Sequence, residues 1–126
     1  MPAARDDYLL RMIQQVAAAL RRLRTRVDDG APADDITRES RAAIGQLLGS
    51  QQLLFERLDA HSASALLGDP ERVRLWSELL RLDAESLERA GLAAQALPLR
   101  GRADALRATL PADAGTGNAA AASDVT

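Results

Sequence analysis

The chain has 126 residues, a formal net charge of −2 and 47% apolar residues, the length of about one domain with material for a modest core. It holds no cysteine, which excludes a disulfide framework, a thiolate metal site and a cysteine nucleophile. The nearly neutral balance gives no global attraction to nucleic acid or anionic lipid.

Tyr8, Phe55 and Trp76 are the only aromatic residues, so the interior has to be built mostly from leucine and alanine, which suits close helix packing. β-Branched residues are scarce, which argues against a sheet of any size. Every basic residue is arginine, which together with the abundance of alanine points to a GC-rich bacterial genome. No stretch approaches the ~18 consecutive apolar residues of a membrane span, and the N-terminus lacks the apolar run of a signal peptide. A cytoplasmic location is expected.

Residues 1–5 are expected to be an arm. The strongest periodic signal follows, over residues 6–27, where Leu9, Ile13, Val16, Leu20, Leu23 and Val27 recur at alternating steps of four and three. At about 100° per residue they form one stripe of an amphipathic helix. Leu10 and Ala17 on one side and Tyr8, Met12 and Ala19 on the other widen the apolar face to roughly 200°, enough for two neighbours. Asp6 and Asp7 open this helix and Arg21, Arg22, Arg24 and Arg26 close it, as the helix dipole favours.

DDGAPADD reads as a loop whose last acids, Asp34 or Asp35, cap a second helix over about 36–48. Its inward set is Ile36, Ala43, Ile44, Leu47 and Leu48. Ala42 and Gly45 mark either a close approach to the first helix or a tolerant site, since a mid-helix glycine costs up to ~1 kcal/mol relative to alanine. Gly49 is a left-handed stop and Ser50 a fresh cap for a short helix over 51–58 carrying Leu53, Leu54, Phe55 and Leu58. Asp59 or Ser62 caps a second short helix over 63–67, ended by Gly68.

Asp69 as cap, Pro70 at the first helical position and Glu71 in the first turn then start a helix over 70–90. Val73, Trp76, Leu80, Ala84 and Leu87 should be inward, flanked by Leu75, Leu79 and Leu82. Glu71 with Arg74, Glu78 with Arg81 and Glu85 with Arg89 have ion-pair spacing on a wet face. The last helical stretch covers 92–110 and should kink or break at Pro98, with Leu99, Ala103, Leu106 and Leu110 inward. Residues 111–126 hold no large apolar group beyond Val125 and read as a disordered tail.

Three segments, DDYLLRMIQQVAAALRRL, LLGSQQLLFERLDAHSASALLG and WSELLRLDAESLERAG with the alanine-rich helix after it, resemble an uncharacterised family of small all-helical bacterial proteins. The last two helices also resemble a degenerate tetratricopeptide hairpin, with Gly91 at its turn and Pro111 behind it. The resemblance implies a fold and no activity.

Site chemistry is sparse. His61, the single histidine, stands among Asp59, Ser62 and Ser64, the usual vocabulary of a helix start, and a capping or surface role is expected. Glu71, Glu78 and Glu85 share a face but are interleaved with arginines, so a solvated ion-pair face is expected rather than a metal-ligand row. No glycine loop matches a phosphate cradle. No cofactor or metal is expected.

The candidate partner surface is Arg11 with Arg21, Arg22, Arg24 and Arg26, groups able to pair with phosphates or with an acidic protein. Asp28, Asp29, Asp34 and Asp35 follow at once and neutralise the cluster locally, which disfavours nucleic acid. The expectation is an all-α domain over 6–110, a small bundle of four main helices and two short ones, acting as a non-enzymatic protein–protein interaction or scaffolding module. A nucleic-acid-binding regulator using the arginine cluster is the alternative. The wide stripe of the first helix leaves two coverings open, the monomer's own core or a second copy in a homodimer.

Overall fold

The structure, a computed structural model, describes residues 2–112, with side chains from residue 6 onward. The chain runs through α1 (Pro2–Asp28), α2 (Ala33–Leu48), a 3-10 turn (Gly49–Gln51), α3 (Gln52–Arg57), α4 (Ala60–Leu67), α5 (Pro70–Arg89) and α6 (Ala93–Ala108). No strand occurs among the described residues. The tail expected beyond residue 112 lies outside them.

α5 is the hub. Its start follows the local chemistry, with the Asp69 carboxylate accepting from the Glu71 N–H at 2.9 Å and Pro70 in the first turn, where its missing donor is not needed. The inward set and its flanks are all buried, from Val73 through Leu87, because α1, α2, α4 and α6 surround the helix. Each fully covered leucine, such as Leu75 or Leu79, contributes about 1.5–3 kcal/mol. Two small residues let neighbours come close without an orphaned hydroxyl: Ser40 of α2 donates to the Leu79 carbonyl at 3.0 Å, and Ser77 to the Ala103 carbonyl of α6 at 2.8 Å. Trp76 meets the Phe55 ring edge-on with centroids 6.4 Å apart, and the Arg102 guanidinium lies over the Trp76 ring, 5.1 Å from its centroid.

α1 lies against α2 and α5. Val16, Leu23 and Val27 are buried, and Leu9, Ile13 and Leu20 pack partly covered against the same core. The helix begins at Pro2, four residues before Asp6, so the segment read as an arm is helical from residue 2 and the two acids fall beyond the first turn. The apolar face is also narrower than its sequence width, since Tyr8 and Leu10 are 65% and 56% exposed.

Four local expectations are corrected. α2 begins at Ala33 behind Pro32, with no side-chain cap, so Asp34 and Asp35 act from inside the first turn through the helix dipole. Gly45 makes room for the Gln52 side chain, whose Oε1 would stand 3.1 Å from an added Cβ, and not for α1. Leu53 and Leu54 are exposed, and α3 is anchored by Phe55 alone, because a 3-10 turn and not a Ser50 cap sets its rotation. α6 continues through Pro98 without interruption. The missing donor costs one ladder bond, while Ala96, Ala103 and Leu106 on either side of the proline are fully covered.

Candidate partner surface

The five candidate arginines all lie on α1, and the fold treats them differently. Arg24 is on the flank turned to α5, where Nη2 donates to Asp28 at 3.0 Å and Nη1 to Glu85 Oε1 at 3.1 Å. Arg89 joins the same group, 2.8 Å from Glu85, and donates to the Val27 carbonyl at 3.1 Å. The hydrogen bond from Arg24 holds the Glu85 carboxyl below the usual glutamate range, and Glu85 in turn raises the Arg24 guanidinium. Arg26 occupies the opposite flank and pairs with Glu39 of α2, with Asp35 at 3.9 Å. Both guanidinium groups stitch α1 to its neighbours.

Arg11, Arg21 and Arg22 face outward and are exposed, and none forms an ion pair or side-chain hydrogen bond among the described residues. Beside Arg21 a groove of about 450 Å³ runs between α1 and α5, with Leu20 and Leu82 as its apolar lining and Arg24, Glu78 and Arg81 along it. Arg81 is held by Asp104 of α6 at 2.8 Å rather than by Glu78, which pairs with Arg74 instead. Arg74 thereby bridges Glu71 and Glu78, and the periodic glutamates form the expected wet ion-pair face. The predicted cluster is therefore split: Arg11, Arg21 and Arg22 remain available, while Arg24 and Arg26 are engaged within the fold.

His61 is exposed on α4, and among the described residues nothing hydrogen-bonds to its ring. The cap of that helix is Asp59, which accepts from the Ser62 N–H at 3.2 Å. No three histidine or acidic residues converge in metal-binding geometry among the described residues.

One site was not visible in the sequence. Asp83 is 1% exposed, and Thr37 of α2 donates to its Oδ1 at 2.5 Å. Burial pushes this carboxyl above the usual aspartate range, against the lowering effect of the Thr37 hydroxyl and of the nearby Arg41 charge. Asp83 lies in the wall of a cleft of about 270 Å³ formed by α2, α3, α5 and α6. An acid among the apolar positions of α5 is the one sequence signal that could have pointed to it.

Fold and surface together define an all-α domain with a partly unpaired cationic helix face. No family model, curated protein or solved structure matches the chain.

Proposed function

We propose that the protein is a non-enzymatic helical interaction or scaffolding module that docks an acidic protein partner on the outer face of α1. The observation that carries this reading is that Arg11, Arg21 and Arg22 are exposed along one helix and form no ion pair among the described residues, with Tyr8 and Leu10 bare near its start. Charged groups that stabilise the fold are expected to be paired within it, as Arg24 and Arg26 are. Arginine and tyrosine are both enriched in protein-binding patches.

In the same reading the bundle counts four main helices and two short ones and belongs to the uncharacterised bacterial family it resembles, acting in the cytoplasm. No helix among the described residues is long and apolar enough to cross a membrane. The likeness of α5 and α6 to a degenerate tetratricopeptide hairpin is supported by Gly91, at φ +81° in the turn between them, and by their packing along each other. A homodimer through α1 would use Tyr8 and Leu10, since the stripe beneath is occupied by α2 and α5.

The test is capture from the native host with wild type and with Arg11→Glu, Arg21→Glu and Arg22→Glu combined, whose sites are exposed. An acidic partner retained by wild type and lost by the variant supports the reading, and a partner set unaffected by charge reversal overturns it. Retention of DNA or RNA at low salt, lost on replacing Arg21 and Arg22 by glutamine, would favour the nucleic-acid alternative. Light scattering of wild type beside Leu10→Glu decides the dimer: a monomer at high concentration ends that part.

A further inference from the structure

The cleft beside Asp83 combines groups that the fold alone does not require. Thr37 serves one oxygen of the Asp83 carboxylate, and the other receives no hydrogen bond among the described residues. A charge in such a place is costly unless something compensates it. An asparagine would keep the bond from Thr37 without a charge.

The opposite charge is present but not engaged. Arg41 lines the same cleft and acts on Asp83 through its field, yet it is exposed and forms no ion pair or hydrogen bond among the described residues. Gln52 lies over Gly45 and donates to Glu56 at 3.1 Å, fixing the α3 wall of the cleft. Ile44, Leu80 and Leu99 supply the apolar part of the lining. A purely anionic ligand would meet Asp83 and Glu56, and a purely cationic one would meet Arg41. A molecule with both charges satisfies both sides.

We propose that this cleft binds a small zwitterion of the α-amino-acid class, its ammonium group on the free oxygen of Asp83, its carboxylate on Arg41 and its apolar side chain against Ile44, Leu80 and Leu99. The volume of about 270 Å³ falls just below the roughly 300–1,000 Å³ of sites for drug-sized ligands, which fits a molecule the size of an amino acid. No residue of α1 lines the cleft, so this site and the α1 surface stand or fall separately.

The experiment is calorimetry and amide-resonance titration of the full chain with L-valine, L-leucine and L-methionine. L-Leucinamide, which lacks the carboxylate, and 4-methylpentanoate, which lacks the amine, complete the set. Saturable binding of at least one amino acid is expected, with shifts at Ile44, Leu80 and Leu99. Arg41→Gln and Asp83→Asn should each weaken it at least ~10-fold, as should removing either charge from leucine, should leucine be the amino acid bound. Arg41 is exposed, so its replacement leaves the fold intact, and Asp83→Asn retains the acceptor for Thr37. No saturable change with any of the three amino acids up to ~10 mM, where a ligand of about 1 mM Kd is nearly saturating, overturns the proposal. Binding indifferent to Arg41→Gln overturns it as well.

Discussion

The seams that α5 makes with α1 and with α2 handle charge in opposite ways. Along α1 the charges stay at the rim, where Arg24, Asp28, Glu85 and Arg89 pair in contact with water. Along α2 a carboxylate goes inside, and its described hydrogen bond comes from the Thr37 hydroxyl. Rim pairs gain little because water already solvates both partners, whereas an interior carboxylate is penalised whenever it ionises. The two seams must therefore answer pH in opposite directions. Glu85 has its pKa lowered by Arg24, so its contribution is present at neutral pH and lost as pH falls through the folded value. Asp83 has its pKa raised by burial, so its contribution is fully present below the ordinary aspartate value and is lost as pH rises through the folded one.

The largest expected effect is that of Leu79→Ala, at the centre of the α2 seam, where the side chain is fully covered. Truncation should cost about 2–5 kcal/mol in denaturant unfolding at unchanged m-value. A loss no greater than that of Thr37→Val would put polar contact above apolar packing in this seam. Thr37→Val itself removes the donor and leaves the buried carboxyl without it, and should cost about 1–3 kcal/mol.

Asp83→Asn should move the other way. It retains an acceptor for Thr37 and abolishes the charge, so at neutral pH the variant should be more stable by about 1 kcal/mol, a rise of several degrees in Tm. The gain should shrink as pH falls toward the ordinary aspartate value, because there the wild-type group is protonated as well. Arg41, which shares the cleft, offsets part of the burial effect on Asp83 through its charge, so Arg41→Gln should enlarge the gain. Thermal melts of both proteins from pH 4 to pH 8 measure this, and parallel profiles would mean that Asp83 does not titrate differently in the folded chain.

The legible and illegible parts of this fold divide along a physical line. α5 could be read because Asp69, Pro70 and Gly91 mark its ends locally and its leucines and Trp76 recur at helical spacing. The inward stripe of α1 could be read for the same reason. Which neighbour lies on which flank of α1 is a tertiary fact, so Arg24 and Arg26 looked like Arg21 and Arg22 until α2 and α5 were in place. Asp83 was illegible because its partner is 46 residues away and an isolated acid ordinarily belongs on a wet face. The sequence leaves Gly45 between a close approach to α1 and a tolerant site, and the group that approaches is instead Gln52, delivered by the reversal at Gly49–Gln51. Pro98 obeyed its local rule only in losing a hydrogen bond, since burial of Ala96 and Ala103 on either side keeps the helix going.

The smallest expected effect belongs to the rim of the α1 seam. Arg24→Gln removes the partner of Glu85 and Asp28 at a site open to water, and should cost only about 0.2–1 kcal/mol at low salt, less at high salt. Arg89 remains within reach of Glu85 and takes over part of the pairing, which holds the loss near the lower end. Arg22→Gln, at an exposed position with no partner among the described residues, should leave stability unchanged in the same urea titration. If the two variants proved equally harmless, Arg24 would have to be counted with Arg11, Arg21 and Arg22 as free for a partner. If Arg22→Gln were the costlier, the division of the cluster into engaged and available arginines would fail, and with it the reason for placing a docking surface on the outer face of α1.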